Sequence, residues 1–216
     1  MLQQYAEGKI IMNERLETFC DGVFAIAITL LILEIKVPPV DSVHSVPDVW
    51  MHVGRLWPSF FALSLSFIII LISWIGHHNL LKAVDKTSSQ FQLANGYFMF
   101  TIILMPFSTA FMAEYLDTPF AQPAIVFFCL NTLLHNTGWN LLHRSVVRPT
   151  SLLKDSKAMA LQKKASRGAR FGFFLYGAIA LLALWLPYLA LVISVLTWIY
   201  WLYLSISIEY YKKIIR

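Results

Sequence analysis

The chain has 216 residues, of which 58% are hydrophobic and 13% are charged, and its mean hydropathy is +0.63. Soluble domains are about 25% charged, so this composition excludes an ordinary soluble protein. The net charge of +5 would suit nucleic acid, but the basic residues lie between apolar runs, where an anionic membrane surface explains them. We expect one integral membrane domain over residues 1–216, in contact with membrane lipids and with neither a nucleic-acid partner nor a soluble substrate.

Six apolar segments have the length expected of membrane spans, which need roughly 20 helical residues. They are Phe19–Val37, Trp57–Gly76, Phe91–Met112, Pro123–Leu142, Phe171–Leu186 and Tyr188–Ile208. The preceding stretch, Met1–Asn13, has no apolar core, so we do not expect a cleaved signal peptide. The sequence therefore predicts an all-α integral membrane fold with six transmembrane helices.

The basic residues between these segments predict the orientation. With both termini in the cytoplasm, 15 of the 17 Lys and Arg residues lie inside and 2 outside. The positive-inside rule therefore favours cytoplasmic N- and C-termini in the plasma membrane. Eight of the inner ones lie between the fourth and fifth spans, where Ser151–Arg167 mixes basic and apolar residues. This mixture is typical of a helix lying on an anionic leaflet.

The first span carries small and polar residues that a helix surrounded only by lipid does not need. At about 100° per residue, one helix face holds a stripe made of Gly22, Ile26, Thr29, Leu30 and Leu33. Asp21 and Glu34 lie on opposite flanks of this stripe. The face either lines a narrow apolar pathway or packs against another helix, with Thr29 bonded to its own backbone.

Polar side chains also occur near the cytoplasmic ends of the second and third spans. Because ionisable groups at membrane depth are costly, each should have a partner. We predict that His77, with Trp74 behind it, hydrogen-bonds Arg15 and Asp21, and that Asn95 completes a network that fixes the tilt of the first helix. The alternative is a pair of histidines in the headgroup region. Within the third span, a proline at position 106 predicts a kink.

The sequence contains no recognisable motif for catalysis or metal binding. An intramembrane metal enzyme needs clustered histidines, whereas His77 and His78 form the one close pair and His135 and His143 are eight residues apart. Nucleophile elbows, phosphate-binding glycine loops and Cys-x-x-Cys pairs are missing from the sequence. We expect neither enzymatic activity nor a bound metal or cofactor. Both cysteines fall inside spans and should be reduced, packed thiols.

The start of the first span resembles a known family. The segment Arg15-Leu-Glu-Thr-Phe19-Cys20-Asp21 is similar to the Arg-x-x-x-Phe-Ser-Asp signature that opens the first helix of the transmembrane protein 175 potassium channels. These occur in lysosomes and, as shorter single-repeat forms, in bacteria. Cys20 replaces the usual Ser, which weakens one hydrogen bond. The segment Trp74-x-x-His77 is also similar to the family at this place.

The resemblance implies a homotetramer whose first helix lines a central pore that conducts potassium ions. It further implies stacked hydrophobic constrictions of Ile26, Leu30 and Leu33, with Thr29 adding a ring of hydroxyls between them. The Thr-Val-Gly-Tyr-Gly loop of a carbonyl filter is absent, so such a channel would select by the cost of ion dehydration. The alternative function is a proton-coupled secondary transporter that uses Asp21, Glu34 and His77 as a relay.

Overall fold

The computed structural model describes the backbone of residues 2–148 and 152–214, and the side chains of residues 14–148 and 152–205. Over these ranges the fold is all-α, as predicted, with one isolated backbone bridge between Val84 and Leu153. The helices are α1 (Leu2–Leu31), α2 (Val46–Arg55), α3 (Trp57–Ala83), α4 (Ser89–Ile103), α5 (Met105–Tyr115), α6 (Ala121–Val147), α7 (Ser156–Leu182) and α8 (Pro187–Ile214).

Several of these helices have the length and hydropathy of membrane spans, which confirms that the chain is a membrane protein. The four segments that meet both criteria are Glu14–Glu34, Trp57–Ala83, Ser89–Tyr115 and Pro187–Ser205. The remaining two predicted spans fall in α6 and α7, which have 27 residues each. At 1.5 Å per residue each is about 40 Å long, enough to cross a bilayer. That they do so stays a prediction.

Two predicted spans were drawn too long, and a proline follows the end of each helix. The first span was expected to reach Val37, but α1 ends at Leu31 and a single 3-10 turn, Ile32–Glu34, follows it. Pro38 disfavours helical backbone at the residue before it and offers no N–H to a helix. The fifth span was expected to reach Leu186, but α7 ends at Leu182, five residues before the proline that begins α8.

The third predicted span is interrupted close to Pro106. Helix α4 ends at Ile103 and α5 begins at Met105, so the proline occupies the first turn of α5. Helical hydrogen bonds of 3.1 Å nevertheless join the Leu104 amide to the Phe100 carbonyl and the Ser108 amide to the Leu104 carbonyl. The two helices therefore continue one another across the break.

We expected the basic segment before the fifth span to be a separate helix on the membrane surface, but it is not. Residues from Ser156 onward form the first half of the continuous α7, and Ser151 lies outside the described residues. In α7, Gln162 is buried against α6, and its Oε1 lies 3.0 Å from Nδ1 of His143. Polar packing on α6 therefore holds this segment against the neighbouring helix.

Phe98 on α4 lies at the point where four helices meet. Its ring centroid is 6.4 Å from that of Phe24 on α1 and 5.7 Å from that of His77 on α3. On α6 it lies 4.8 Å from His135 and 4.6 Å from Trp139. Because Phe98 is fully buried, these contacts form the interior against which α1 packs. The two cysteines are also buried and free, as predicted.

Candidate functional site

In the described part of α1, the fully buried apolar side chains form one narrow stripe. The buried side chains are Cys20, Phe24, Ala27 and Leu31, each at most 2% exposed. Their spacing of four, three and four residues keeps them on one face of a helix. This stripe packs against α3, α4 and α5, so it fixes which way the opposite face points.

The stripe predicted to line a pathway lies on the opposite face. Ile26 is 61% exposed, Leu33 70% and Leu30 41%, while Gly22 and Thr29 are also exposed. A Cβ atom placed on Gly22 would meet no neighbouring atom within 4 Å. These residues therefore do not pack against another helix of the same chain. Leu33 lies in the 3-10 turn that follows α1.

Thr29 is bonded to its own helix. Its hydroxyl lies 2.9 Å from the Ile26 carbonyl and 3.1 Å from the Ala25 carbonyl, to which it donates. This is the backbone bonding that we considered as an alternative for Thr29. Because the single hydroxyl proton is used in this way, the oxygen presents its lone pairs on the exposed face as an acceptor.

The predicted anchoring network exists in part. Trp74 Nε1 donates a 2.9 Å hydrogen bond to Oδ1 of Asp21, which joins α3 to α1. Arg15 is exposed and has no hydrogen bond or ion pair with another residue in the described ranges. Phe19, the aromatic residue of the signature, is 61% exposed. The contact that joins α1 to α3 in this motif is thus the acid–indole pair.

His77 has a different partner from the one we predicted. Its Nε2 lies 2.7 Å from Oδ1 of Asn95 on α4, while Nδ2 of Asn95 donates to the Phe91 carbonyl. Both side chains are 1% exposed. The pairing of His77 with Arg15 and Asp21 was therefore wrong: His77 faces the protein interior between α3 and α4, and Asp21 is bonded to Trp74 nearer the surface.

One contact was missed from the sequence. Nδ1 of His78 lies 2.9 Å from Oε1 of Glu17, and the His78 ring stacks on Trp74 at 6.0 Å. Glu17 precedes Asp21 by four residues, as Trp74 precedes His78. Equal spacing on two antiparallel helices places both pairs side by side. This repeated spacing was the signal that could have revealed the contact.

A second polar cluster lies deeper, where the sequence showed only isolated polar residues. On α6, Nε2 of His135 lies 2.8 Å from Oγ of Ser73 on α3. Its Nδ1 lies 3.0 Å from Oγ1 of Thr101 on α4. His135 is 1% exposed. Both ring nitrogens are thereby paired, and in the described parts of the chain no group of three metal-ligating side chains comes together.

The part of the chain that carries the contacts between α1 and α3 matches a known family. The model of the family described as endosomal/lysosomal potassium channel TMEM175 matches residues 15–106, which include Arg15, Asp21, Trp74 and His77. A Chamaesiphon minutus protein named potassium channel is 37% identical over 80% of this chain and 86% of its own length. The chain belongs to the TMEM175 family.

Structural comparison extends over almost the whole chain. The crystal structure of a lysosomal potassium-selective channel TMEM175 homolog from Chamaesiphon minutus superposes with a TM-score of 0.79 at 33% identity, covering 90% of this chain and 98% of that one. The human TMEM175 is named an endosomal/lysosomal proton channel and is 29% identical over 55% of this chain, which is 22% of the human protein. The Chamaesiphon minutus structure thus matches this chain nearly end to end.

Proposed function

We propose that the chain is a potassium-permeable channel in which four copies surround a central pore lined by α1. The observation that carries this proposal is the division of α1 into a buried stripe and an opposite exposed stripe of aliphatic side chains. A single helix cannot enclose a pathway, and closed ring symmetry is the usual way to repeat one face around an axis. The names of the bacterial relatives support potassium as the permeant ion.

The aliphatic side chains provide the barrier. Rings of Ile26, Leu30 and Leu33 around an axis would form a stack of apolar constrictions. Removing an ion from water into apolar surroundings costs tens of kcal/mol in the idealised limit, so narrow rings block current and wider ones pass a partly hydrated ion. Potassium holds its water less tightly than sodium, and the acceptor oxygen of Thr29 offers a replacement ligand between the rings.

The proposal includes a topology. Six spans place both termini and the basic residues between the fourth and fifth predicted spans in the cytoplasm, which satisfies the positive-inside rule for a bacterial plasma membrane. This orientation puts the anchoring pairs of α1 at the cytoplasmic end of the pore. The exposed residues of the stripe then lie deeper in the membrane, where an apolar constriction excludes water and ions.

The geometry gives the transporter alternative little support. A relay requires Asp21, Glu34 and His77 to exchange protons, but Asp21 is bonded to Trp74 and His77 to Asn95. Asp21 and Glu34 are 13 residues apart, about 20 Å along a helix. Because mammalian relatives are named proton channels, proton flux is the second activity to measure beside potassium flux.

The test is an Ile26→Asn variant reconstituted in liposomes, with potassium, sodium and proton fluxes measured separately. We expect higher flux and a smaller preference for potassium, because a polar ring hydrates the constriction. The matched control is Ile199→Asn: Ile199 is 53% exposed at the middle of the α8 span, against 61% for Ile26.

If both variants behave like the parent protein, the stripe of α1 does not line the pathway. Equal changes in both variants would show a general effect of asparagine on a lipid-facing surface. Potassium flux that requires an opposing proton gradient would favour the transporter.

A further inference from the structure

A groove between α6 and α7 concentrates positive charge at one end of the helix pair. It has a volume of about 470 Å³, and its walls include Arg144 and Arg148 from α6 and Arg170 from α7. Acidic side chains are missing from its lining, and these three arginines make no ion pair within the described chain. Three guanidinium groups without an ion pair around one groove offer charge-assisted hydrogen bonds to an anion from outside the chain.

The arginines are arranged to act together. Arg144 and Arg148 are separated by four residues, so they extend from the same face of α6. On α7, one guanidinium nitrogen of Arg170 donates a 3.3 Å hydrogen bond to Oγ of Ser166. This bond holds the Arg170 side chain along the wall of the groove. Guanidinium forks in such positions match the geometry of phosphate oxygens.

The groove is apolar on its other side. The two helices are antiparallel, since Asn140 contacts Ala169 and His143 contacts Gln162, in opposite order along the two helices. The residues that point toward the membrane interior are therefore Leu141 on α6 and Phe173 and Phe174 on α7, with exposed fractions of 38%, 40% and 74%. A ligand in this groove would meet cations at one end and a hydrocarbon-like wall at the other.

We propose that this groove binds an anionic phospholipid of the leaflet facing it, with the lipid phosphate on Arg144, Arg148 and Arg170. The acyl chain lies along Leu141, Phe173 and Phe174. A neighbouring groove of about 420 Å³ on the other side of α6 shares Arg144 and Arg148 but has no third arginine, so the phosphate belongs between α6 and α7. The shared chemistry is a phosphate anion, and the apolar wall favours the lipid over free phosphate.

The experiment titrates the purified full chain in detergent with phosphatidylglycerol and follows its melting temperature. Phosphatidylcholine with the same acyl chains tests the need for net negative charge, and inorganic phosphate tests the need for the acyl chains. We expect phosphatidylglycerol alone to raise the melting temperature. In Arg144→Gln/Arg170→Gln its affinity should fall by about tenfold or more, because two charge-assisted bonds to phosphate are lost.

The matched control is Lys163→Gln/Lys164→Gln, which removes the same charge from exposed positions of α7 outside the groove. It should keep the affinity of the parent protein. Equal losses in both double variants, equal effects of the two lipids, or a full effect of inorganic phosphate would overturn the proposal. If Arg144→Gln/Arg170→Gln does not fold, Arg170→Gln alone replaces it. This single variant loses one hydrogen bond in the described structure, the bond to the Ser166 hydroxyl.

Discussion

The side chains that join α1 to α3 form two rungs at the spacing of one helical turn. Asp21 accepts a hydrogen bond from the indole N–H of Trp74, and Glu17 contacts His78 one helical turn away. The acids belong to one helix and their partners to the other, so the rungs fix both register and direction. Since the carboxylate and imidazole are each about one third exposed, the second rung contributes less than 1 kcal/mol.

A double-mutant cycle on Asp21 and Trp74 tests the first rung. We expect Asp21→Ala and Trp74→Phe each to lower thermal stability, and their effects to be less than additive, with a coupling of about 0.5–1.5 kcal/mol for one hydrogen bond. Arg15→Ala should change stability by less than about 0.5 kcal/mol, because Arg15 has no partner among the described residues. The melting temperatures of all four cycle members measure this.

The same variants separate anchoring from ion selection. If Asp21 serves to hold α1, the ratio of potassium to sodium flux in liposomes stays at the parent value in Asp21→Ala. A changed ratio would place the Asp21 carboxylate on the permeation pathway and contradict its assignment as an anchor.

The sequence drew attention to several residues of this site but did not determine their partners. The family signature, in which a basic, an aromatic and an acidic residue precede an apolar run at fixed spacing, pointed to Arg15, Phe19 and Asp21. The pairing of His77 could not be obtained in this way, because adjacent residues on a helix differ by about 100° and either of two histidines can face α1. Only the packing of α4 against α3 decides that His77 turns to Asn95.

At the scale of elements, α4 and α6 approach closely where α6 has a glycine. A Cβ atom on Gly138 would lie 2.9 Å from Cδ2 of Phe98 and 3.3 Å from its Cα. Small residues that admit a neighbouring backbone are typical of helix contacts in membranes. The Phe98 ring therefore fits between α4 and α6 only because position 138 carries no side chain.

Gly138→Ala should consequently destabilise the protein by about 1–3 kcal/mol, the range for overpacking a filled interior. Gly177→Ala on α7 is the control, because a Cβ atom there meets nothing within 4 Å. It should leave stability unchanged or raise it by up to about 1 kcal/mol through helix propensity. Thermal unfolding in one detergent compares the two, and equal melting temperatures would contradict the close approach.

Hydropathy located the helices but not their limits. Apolar runs predicted each of the long helices, whereas α1 and α7 end before the prolines that follow the runs, and a contact between Gln162 and His143 holds the first part of α7 against α6. A basic, polar stretch has the composition of a surface helix, but it can also pack inside the protein where a neighbouring helix supplies polar partners. Such partners come from tertiary packing, which the local pattern does not contain.

At the scale of the whole molecule, α1 and α8 are the least enclosed of the four candidate spans. In the span Glu14–Glu34 22% of the most apolar window is buried, against 50% for Ser89–Tyr115. Much of the α1 surface therefore requires a partner that one chain does not provide, whether lipid or a second copy. The sequence predicted the exposed stripe but could not show what covers it, since symmetry partners leave no pattern in a single chain.

Two measurements test the ring. The detergent-solubilised protein should have a mass four times the 24.7 kDa of one chain, as measured by native mass spectrometry. In Leu33→Cys, oxidation should link neighbouring chains into covalent dimers, because a disulfide forms only when Cα atoms come within about 7 Å. The parent protein is the control, since Cys20 and Cys129 are buried. A monomeric mass, or absence of dimers, would contradict a pore lined by this stripe.

Phe98 has a mechanical consequence for such an assembly. Its ring separates Phe24 on α1 from His135 and Trp139 on α6, so it acts as a spacer between the innermost helix and the body of the subunit. A smaller side chain at this position would let α1 withdraw from the axis, and repeated in every subunit this would widen the bore. In the proposed assembly, the diameter available to an ion would therefore be adjustable at a residue that does not line the pore.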